Sequence, residues 1–195
     1  MSPEAPAPIE PAKTALLVMD YQNGIFERVE NGDALLAGAR RAIDLIRKHG
    51  GTIGYVRVGF ADGEAPTGTM GRRIGREAAL TMFHADSSAT QIHDVIAPQS
   101  GDIVVRKTRV GPFGTTDLHE QLQANGIDTL VLAGISTSGV VLSAVRDGHD
   151  RDYRLLVLSD LCADPQADVH EFLIERIFPR QADVITSDEL PELLR

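Results

Sequence analysis

Apolar residues fall in short, nearly unbroken runs along this chain: 14–19 (TALLVM), 52–58 (TIGYVRV), 102–106 (DIVVR), 129–133 (TLVLA), 154–158 (RLLVL) and 182–185 (ADVI). Runs of this length, rich in β-branched side chains and apolar on both alternations, predict strands covered on both faces, as in a parallel sheet. Between the runs the period changes. Residues 34–49 (ALLAGARRAIDLIRKH) repeat apolar side chains at Leu35, Ala39, Ala42, Ile43 and Ile46 and stop at Gly50 and Gly51, the mark of an amphipathic helix ended by glycine. Residues 115–125 open with Thr115 and Thr116 as capping residues and close before Gly126. Residues 138–149 and 168–178 complete the helical set. Strand and helix alternate over the whole length, which predicts a single-domain, three-layer α/β/α protein. Its six-stranded, mostly parallel, Rossmann-like sheet would have the first and fourth strands side by side.

Two stretches break the rhythm. Residues 59–99 are long for a connection, and the first part carries Asp62, Glu64, Arg72, Arg73 and Arg76 among glycines; such a segment is usually a lid or the edge of a ligand site, and otherwise plain variable surface. Residues 1–13 (MSPEAPAPIEPAK) read as a flexible N-terminal tail, leaving 14–195 as the folded domain. This start has neither the basic opening nor the apolar stretch of a secretory signal, and no apolar run approaches the ~20 residues of a membrane span. With one cysteine, Cys162, no intrachain disulfide forms. Together these give the expectation of a cytoplasmic protein. The 195 residues are 43% hydrophobic, enough for one sizeable core. A net charge of −9 repels phosphate backbones. Nucleic acid is therefore not an expected partner, and the lack of a membrane span argues against a membrane; the charge says nothing positive about a small-molecule substrate.

In an open parallel sheet, ligands sit at the carboxyl ends of the strands, where the strand order reverses. The first strand delivers Asp20 there, the third delivers Lys107, and the fourth delivers the loop 134–140 (GISTSGV) leading into a helix. An acid, an amine and a set of backbone N–H groups can converge. Singly, each has a bland reading: an Asp after a strand forms turns, a lone Lys is solvated, and a Gly-Ser-Thr loop is a turn.

Taken in order, three strings carry more: ALLVMDYQNGIF, KTRVGPFGTTDL and GISTSGVVLSAVRDGHDRDYRLLVLSDLCAD. They resemble the isochorismatase-like (cysteine hydrolase) superfamily, from Thr14 to the last strand. The resemblance makes Asp20 catalytic and puts Lys107, Phe113, Thr116 and Leu118 on the places of the lysine motif. The third string departs from the pattern. Cysteine hydrolases read Gly, two variable residues, Thr, two variable residues, Cys, Val; here Thr137 matches, but Val140 holds the place of the cysteine, before Val141. Valine has neither lone pair nor proton, so thioester chemistry is not expected. Ser136, Ser138 and Ser143 lie nearby, none at the nucleophile's place and none with a histidine in the local motif. The metal motif of the nicotinamidases is missing from RVGFADGEAP, and His84 and His93 read as surface or helix residues. No metal or cofactor is expected, and Cys162 reads as a small core or half-buried residue. Asp and Lys without a thiol also resemble true isochorismatases, but their loop carries Tyr-Ala-His where this chain has Ser-Thr-Ser.

The reading that follows is a hydrolase acting on a small neutral or anionic organic molecule by Asp/Lys chemistry. Asp20 is the general acid or base, and Lys107 holds it charged and stabilises negative charge on the substrate. The resemblance implies an anion pocket from the N–H groups of Ser136 and Val140, and a cis peptide between Ile135 and Ser136. It implies a substrate site lined by Tyr21, Phe26, Phe113 and Val140, completed by Ser136, Thr137 and Gly139. It further implies a homo-oligomer, dimer or tetramer, with 59–99 edging a neighbour's pocket. Two alternatives remain open from the sequence. One is a catalytically inactive pseudoenzyme that binds a small ligand or a protein partner, with Asp20 and Lys107 as a structural ion pair. The other is a purely structural subunit.

Overall fold

All six apolar runs become strands of one sheet, and every neighbouring pair is parallel. The computed structural model describes residues 6–27, 29–64 and 80–194. Its strands are β1 (Thr14–Met19), β2 (Thr52–Val58), β3 (Ile103–Lys107), β4 (Thr129–Ile135), β5 (Arg154–Ala163) and β6 (Asp183–Ile185), in the order β3-β2-β1-β4-β5-β6. The first and fourth strands are neighbours, as expected, and the order reverses between them. The helices around the sheet include α1 (Asn23–Phe26), α2 (Gly32–Lys48), α3 (Leu118–Ala124), α4 (Leu142–His149), α5 (Ala167–Phe172) and α6 (Leu190–Leu193).

The strands are apolar on both alternations because each face meets its own core. Ala15, Leu17 and Met19 of β1, with Leu130 and Leu132 of β4 and Leu155 and Val157 of β5, pack with Leu118 and Leu122 of α3 and Ala144 and Val145 of α4. The alternate residues Leu16 and Val18, Val131 and Ala133, and Leu156 and Leu158 pack with Leu36, Ala39, Ala42, Ile43 and Ile46 of α2. This period-2 division between two helical layers makes a three-layer molecule.

The differences from expectation have local causes. β5 runs five residues past 158, because the polar Ser159 and Asp160 that end the apolar run form a bulge opposite β4. Asp160 there accepts from the Ser187 N–H (2.7 Å) and hydroxyl (2.6 Å), and the strand regains its partner at Cys162, opposite Gly134. α3 begins at Leu118 rather than 115: the Thr115 hydroxyl serves the loop before it, accepting from the Thr108 N–H (3.1 Å), whereas Thr116 donates to the Pro112 carbonyl (2.5 Å) and caps the helix start by accepting from the Leu118 N–H (3.2 Å). The helices read over 138–149 and 168–178 are each divided. A wide five-residue turn, Thr137–Val141, precedes α4, and a similar one, Leu173–Ile177, follows α5. Pro179, with no N–H, then leaves only a tight turn over Phe178–Arg180.

Within 1–13, residues 6–13 are packed rather than loose. Ile9 is buried and bridges to Leu194, its N–H donates to the Leu193 carbonyl (2.9 Å), and the Arg154 guanidinium reaches the carbonyls of Ala7 and Pro8. A single apolar residue among prolines is enough to dock the segment beside α6. Residues 1–5 and 65–79, the latter holding Arg72, Arg73 and Arg76, lie outside the described residues. Of the remainder of 59–99, Glu64 is forked by Arg106 at 2.6 and 3.2 Å, and His84 stands 3.3 Å from Asp62. Among the described residues no helix is long and apolar enough to cross a membrane.

Candidate active site

The last residue of β1, Met19, is followed by a sharp turn, and Asp20 occupies the left-handed region at φ 61°. Aspartate is among the few residues that tolerate this conformation. Its N–H still donates to the Val56 carbonyl of β2 (2.8 Å), and its own carbonyl accepts from the Gln22 N–H (2.9 Å). The carboxyl is thereby held at the sheet edge, 6% exposed. Lys107 ends β3, two strands away, and is 2% exposed. Its ammonium donates to Asp20 Oδ2 (2.7 Å) and to the Val110 carbonyl (2.6 Å), which the loop after β3 folds back to present. The other carboxylate oxygen, Oδ1, is buried with no hydrogen-bond partner among the described residues. Burial pushes the Asp20 carboxyl up to about 6, against the Lys107 charge and hydrogen bond that pull it down.

The β4 end is built differently. Gly134 is required there: a Cβ would stand 2.8 Å from Val141 Cγ2 and 3.3 Å from both Met19 and Val140 side-chain atoms, so the turn lies directly on the strand. The Ile135–Ser136 peptide is cis. Beyond it the chain makes the wide turn, closed by the Val141 N–H on the Ser136 carbonyl (3.3 Å). Thr137 is fully buried and its hydroxyl shares a 2.8 Å hydrogen bond with Nδ1 of the half-buried His170; burial lowers the pKa of His170. The Ser138 N–H donates to Asp164 Oδ2 (2.8 Å). Val140 is 2% exposed and belongs to the apolar cluster under α3 and α4.

A cavity of about 570 Å³ opens over the carboxyl edge of β1, β4 and β5, at the reversal point where a ligand is expected. Ile25, Val29, Met82, Phe83, Ile135 and Pro165 give it apolar walls; Gln22, Ser136 and Asp164 supply polar atoms. Of the residues read from the sequence as catalytic or substrate-binding, Ser136 alone is in this lining; Asp20 and Lys107 lie behind it, next to Gln22 and at the end of β3. Tyr21 is buried, donates its hydroxyl to the Leu161 carbonyl (2.7 Å), and stacks edge-on with the half-buried Phe26 at 5.1 Å. Phe113 is buried on the opposite face of the sheet, against Tyr153. Tyr21 and Phe113 therefore do not face one common space, and Val140 and Thr137 are turned into the packing; Gly139 is half-exposed on the turn. Asp164, His170 and Gln22 were missed. His170 reaches Thr137 across 33 positions, and Asp164 reaches Ser138 across 26, so no local motif joins them. The Asp-Pro pair closing β5 was the one readable signal.

A family model described as "Isochorismatase domain" matches residues 14–189. The chain belongs to the isochorismatase family. It is 32% identical over 183 residues to the uncharacterized isochorismatase family protein YwoC of Bacillus subtilis, covering 94% of this chain and 95% of that one. It is 29% identical over 195 residues to maleamate amidohydrolase of Pseudomonas putida, covering 94% and 87%. Among solved structures, a cysteine hydrolase from Pseudomonas syringae pv. phaseolicola superposes with a TM-score of 0.89 at 25% identity, over 98% of this chain and 97% of that one. By family and fold, this isochorismatase-like chain is a single-domain hydrolase of the α/β type. Val140, where the resemblance places a cysteine, and the buried Cys162, whose thiol burial pushes up to about 12, set the terms for its chemistry.

Proposed function

We propose that this isochorismatase-family chain hydrolyses a small organic molecule with the Asp20–Lys107 pair and without a thiol nucleophile. The observation that carries the reading is the asymmetry of the Asp20 carboxylate: Oδ2 is pinned by Lys107, while Oδ1 is buried and has no partner among the described residues. A carboxyl at about 6 is mostly ionised at neutral pH, and its basicity is close to what proton transfer at that pH asks for. Asp20 takes a proton from water, the oxygen adds to the electrophilic carbon, and Asp20 returns the proton to the leaving group. Lys107 balances the negative charge that persists on the carboxylate or moves to the substrate. The substrate occupies the cleft lined by Gln22, Ile135 and Ser136, and its reacting carbon passes beyond that lining to reach the Asp20 carboxyl, which the lining does not include. The activity should appear in a screen of amides, esters and vinyl ethers and fall ~10²–10⁴-fold in Asp20→Asn. An activity that survives this change intact excludes the mechanism.

A second reading, a scaffold that binds without turnover, is favoured by Val140, an inert buried side chain in the nucleophile's place. In it, Asp20 and Lys107 are a buried pair that breaks only at high cost. Ligand binding with no turnover in the same screen selects this reading. The expected homo-oligomer is a further proposal, tested by the particle mass in solution.

A further inference from the structure

The cleft at the β1/β4 reversal carries acidic side chains among its described lining. Its described lining contains Asp164, Glu27 and Glu30, and no lysine, arginine or histidine. The position of Asp164 matters most. The turn after β4 is where a helix start would offer backbone N–H groups to an anionic substrate. Here the Asp164 carboxylate already accepts from the Ser138 N–H at 2.8 Å, and its second oxygen accepts from the Gln166 N–H at 3.3 Å. The chain thus supplies its own anion to that turn and leaves the carboxylate at the wall of the cleft, beside Ser136 and Pro165. A substrate carboxylate brought there meets like charge and one N–H fewer, whereas an amidinium, an ammonium or an amide N–H meets an acceptor. The apolar part of the lining, Ile25, Val29 and Phe83, takes an apolar body.

We propose that Asp164 sets the specificity of this cleft, selecting a small molecule with an apolar body and a cationic or N–H-donating head and rejecting carboxylates. The proposal rests on the reading of the cleft as the substrate site, and it revises the neutral or anionic substrate expected from the sequence. Binding, not turnover, tests it, so a scaffold and an enzyme give the same answer. Benzamidinium, benzamide and benzoate share one shape and differ in the charge of the head. Titration calorimetry on the full chain at pH 7.5 is expected to rank them in that order. Benzamidinium should bind at least about tenfold more tightly than benzoate, the effect of one partly screened charge at short range. The ratio should shrink as salt is raised.

Asp164→Asn keeps an oxygen for the Ser138 N–H, since asparagine caps as well as aspartate, and removes the charge. It should bring the benzamidinium-to-benzoate ratio close to one while leaving benzamide within about twofold. Glu27→Gln, on the exposed rim, should lower the same ratio by a smaller factor and keeps the test open should the first variant fold poorly. Benzoate binding the wild type as tightly as benzamidinium, a ratio unchanged in both variants, or no binding by any of the three probes would overturn the proposal. In each of these cases the Asp20 dependence of hydrolysis is a separate measurement, and it stands or falls by itself.

Discussion

Along one edge of the sheet, two regions carry opposite chemistry. The β1–β3 region buries two charges 2.7 Å apart and leaves one carboxylate oxygen without a partner. The β4–β5 region buries Val140 in hydrocarbon, ties Thr137 to His170, and caps its turn with Asp164. In the first, polar atoms are held under tension with their surroundings, a carboxyl raised to about 6 despite a lysine beside it. In the second, each polar group named has a partner. The contrast teaches where reactivity is stored: a satisfied hydrogen bond has little left to exchange with a substrate, whereas a buried oxygen with no partner has a strong interaction to gain.

The largest effects should come from breaking the charged region. Lys107→Met leaves a buried carboxylate without its counter-charge, a change that costs about 3–5 kcal/mol in comparable pairs. Urea unfolding at pH 7.5 should show a loss of that size, shrinking towards pH 5 as the carboxyl takes a proton instead. A variant as stable as the wild type at pH 7.5 would mean that water reaches the pair and the region is not dry. Activity, where present, should fall with Lys107→Met as well as with Asp20→Asn.

Next is the pH dependence of that same pair. The Asp20 carboxyl is raised from 3.8 to about 6 in the folded state. Its contribution to stability is therefore fully present below its unfolded value and is lost as pH rises through about 6. Relative to Asp20→Asn, the wild type should lose stability on the order of 3 kcal/mol between pH 4 and pH 7.5. A difference that grows in the other direction would place the carboxyl below its ordinary value and make Lys107 the dominant influence. The rate should follow the base form, with kcat/KM rising through about pH 6 to a plateau; a fall over that range makes Asp20 the proton donor instead.

Much of the charged region was legible in the sequence and little of the β4–β5 region was. Asp20 and Lys107 each follow an apolar run directly, so strand ends alone placed them on one edge, and parallel pairing through β2 brought them into contact. The apolar candidates Tyr21 and Phe113 could not be placed this way. The side of the sheet a residue faces beyond the strand end depends on the turn that follows, and Asp20's left-handed turn sends Tyr21 into the α2 layer while Phe113 packs under α3. Asp164 and His170 were invisible for a different reason. Both act across long separations, and the bulge at Ser159 and Asp160 that carries β5 on to Asp164 interrupts the pattern by which strands are read.

A smaller effect should follow from crowding the β4 turn. Gly134→Ala puts a methyl 2.8 Å from Val141 Cγ2 and 3.3 Å from Met19. Overpacking of this kind costs roughly 1–3 kcal/mol. Thermal unfolding should register the loss, and the variant's activity should drop less than that of Asp20→Asn if the chemistry belongs to β1 and β3. A drop as large as that of Asp20→Asn would make the two regions one functional unit.

The smallest effect is expected from the substitution that appears most drastic chemically. Val140→Cys restores a thiol at the place where the resemblance puts a nucleophile, yet the side chain it replaces is only 2% exposed and packs within an apolar cluster. The change nearly conserves volume and should cost less than about 1.5 kcal/mol. A thiol there is kept from the thiolate form by the same lack of water that pushes Cys162 up to about 12. The variant should therefore gain no amidase activity, and a thiol reagent should label both cysteines slowly in the native protein and rapidly after unfolding. Labelling of position 140 well ahead of Cys162 is the result that sinks this expectation. It would show that the β4 turn opens to solvent on the timescale of the reagent, that the cleft extends to the nucleophile's place, and that the contrast between the two regions lies in their motion as much as in their chemistry.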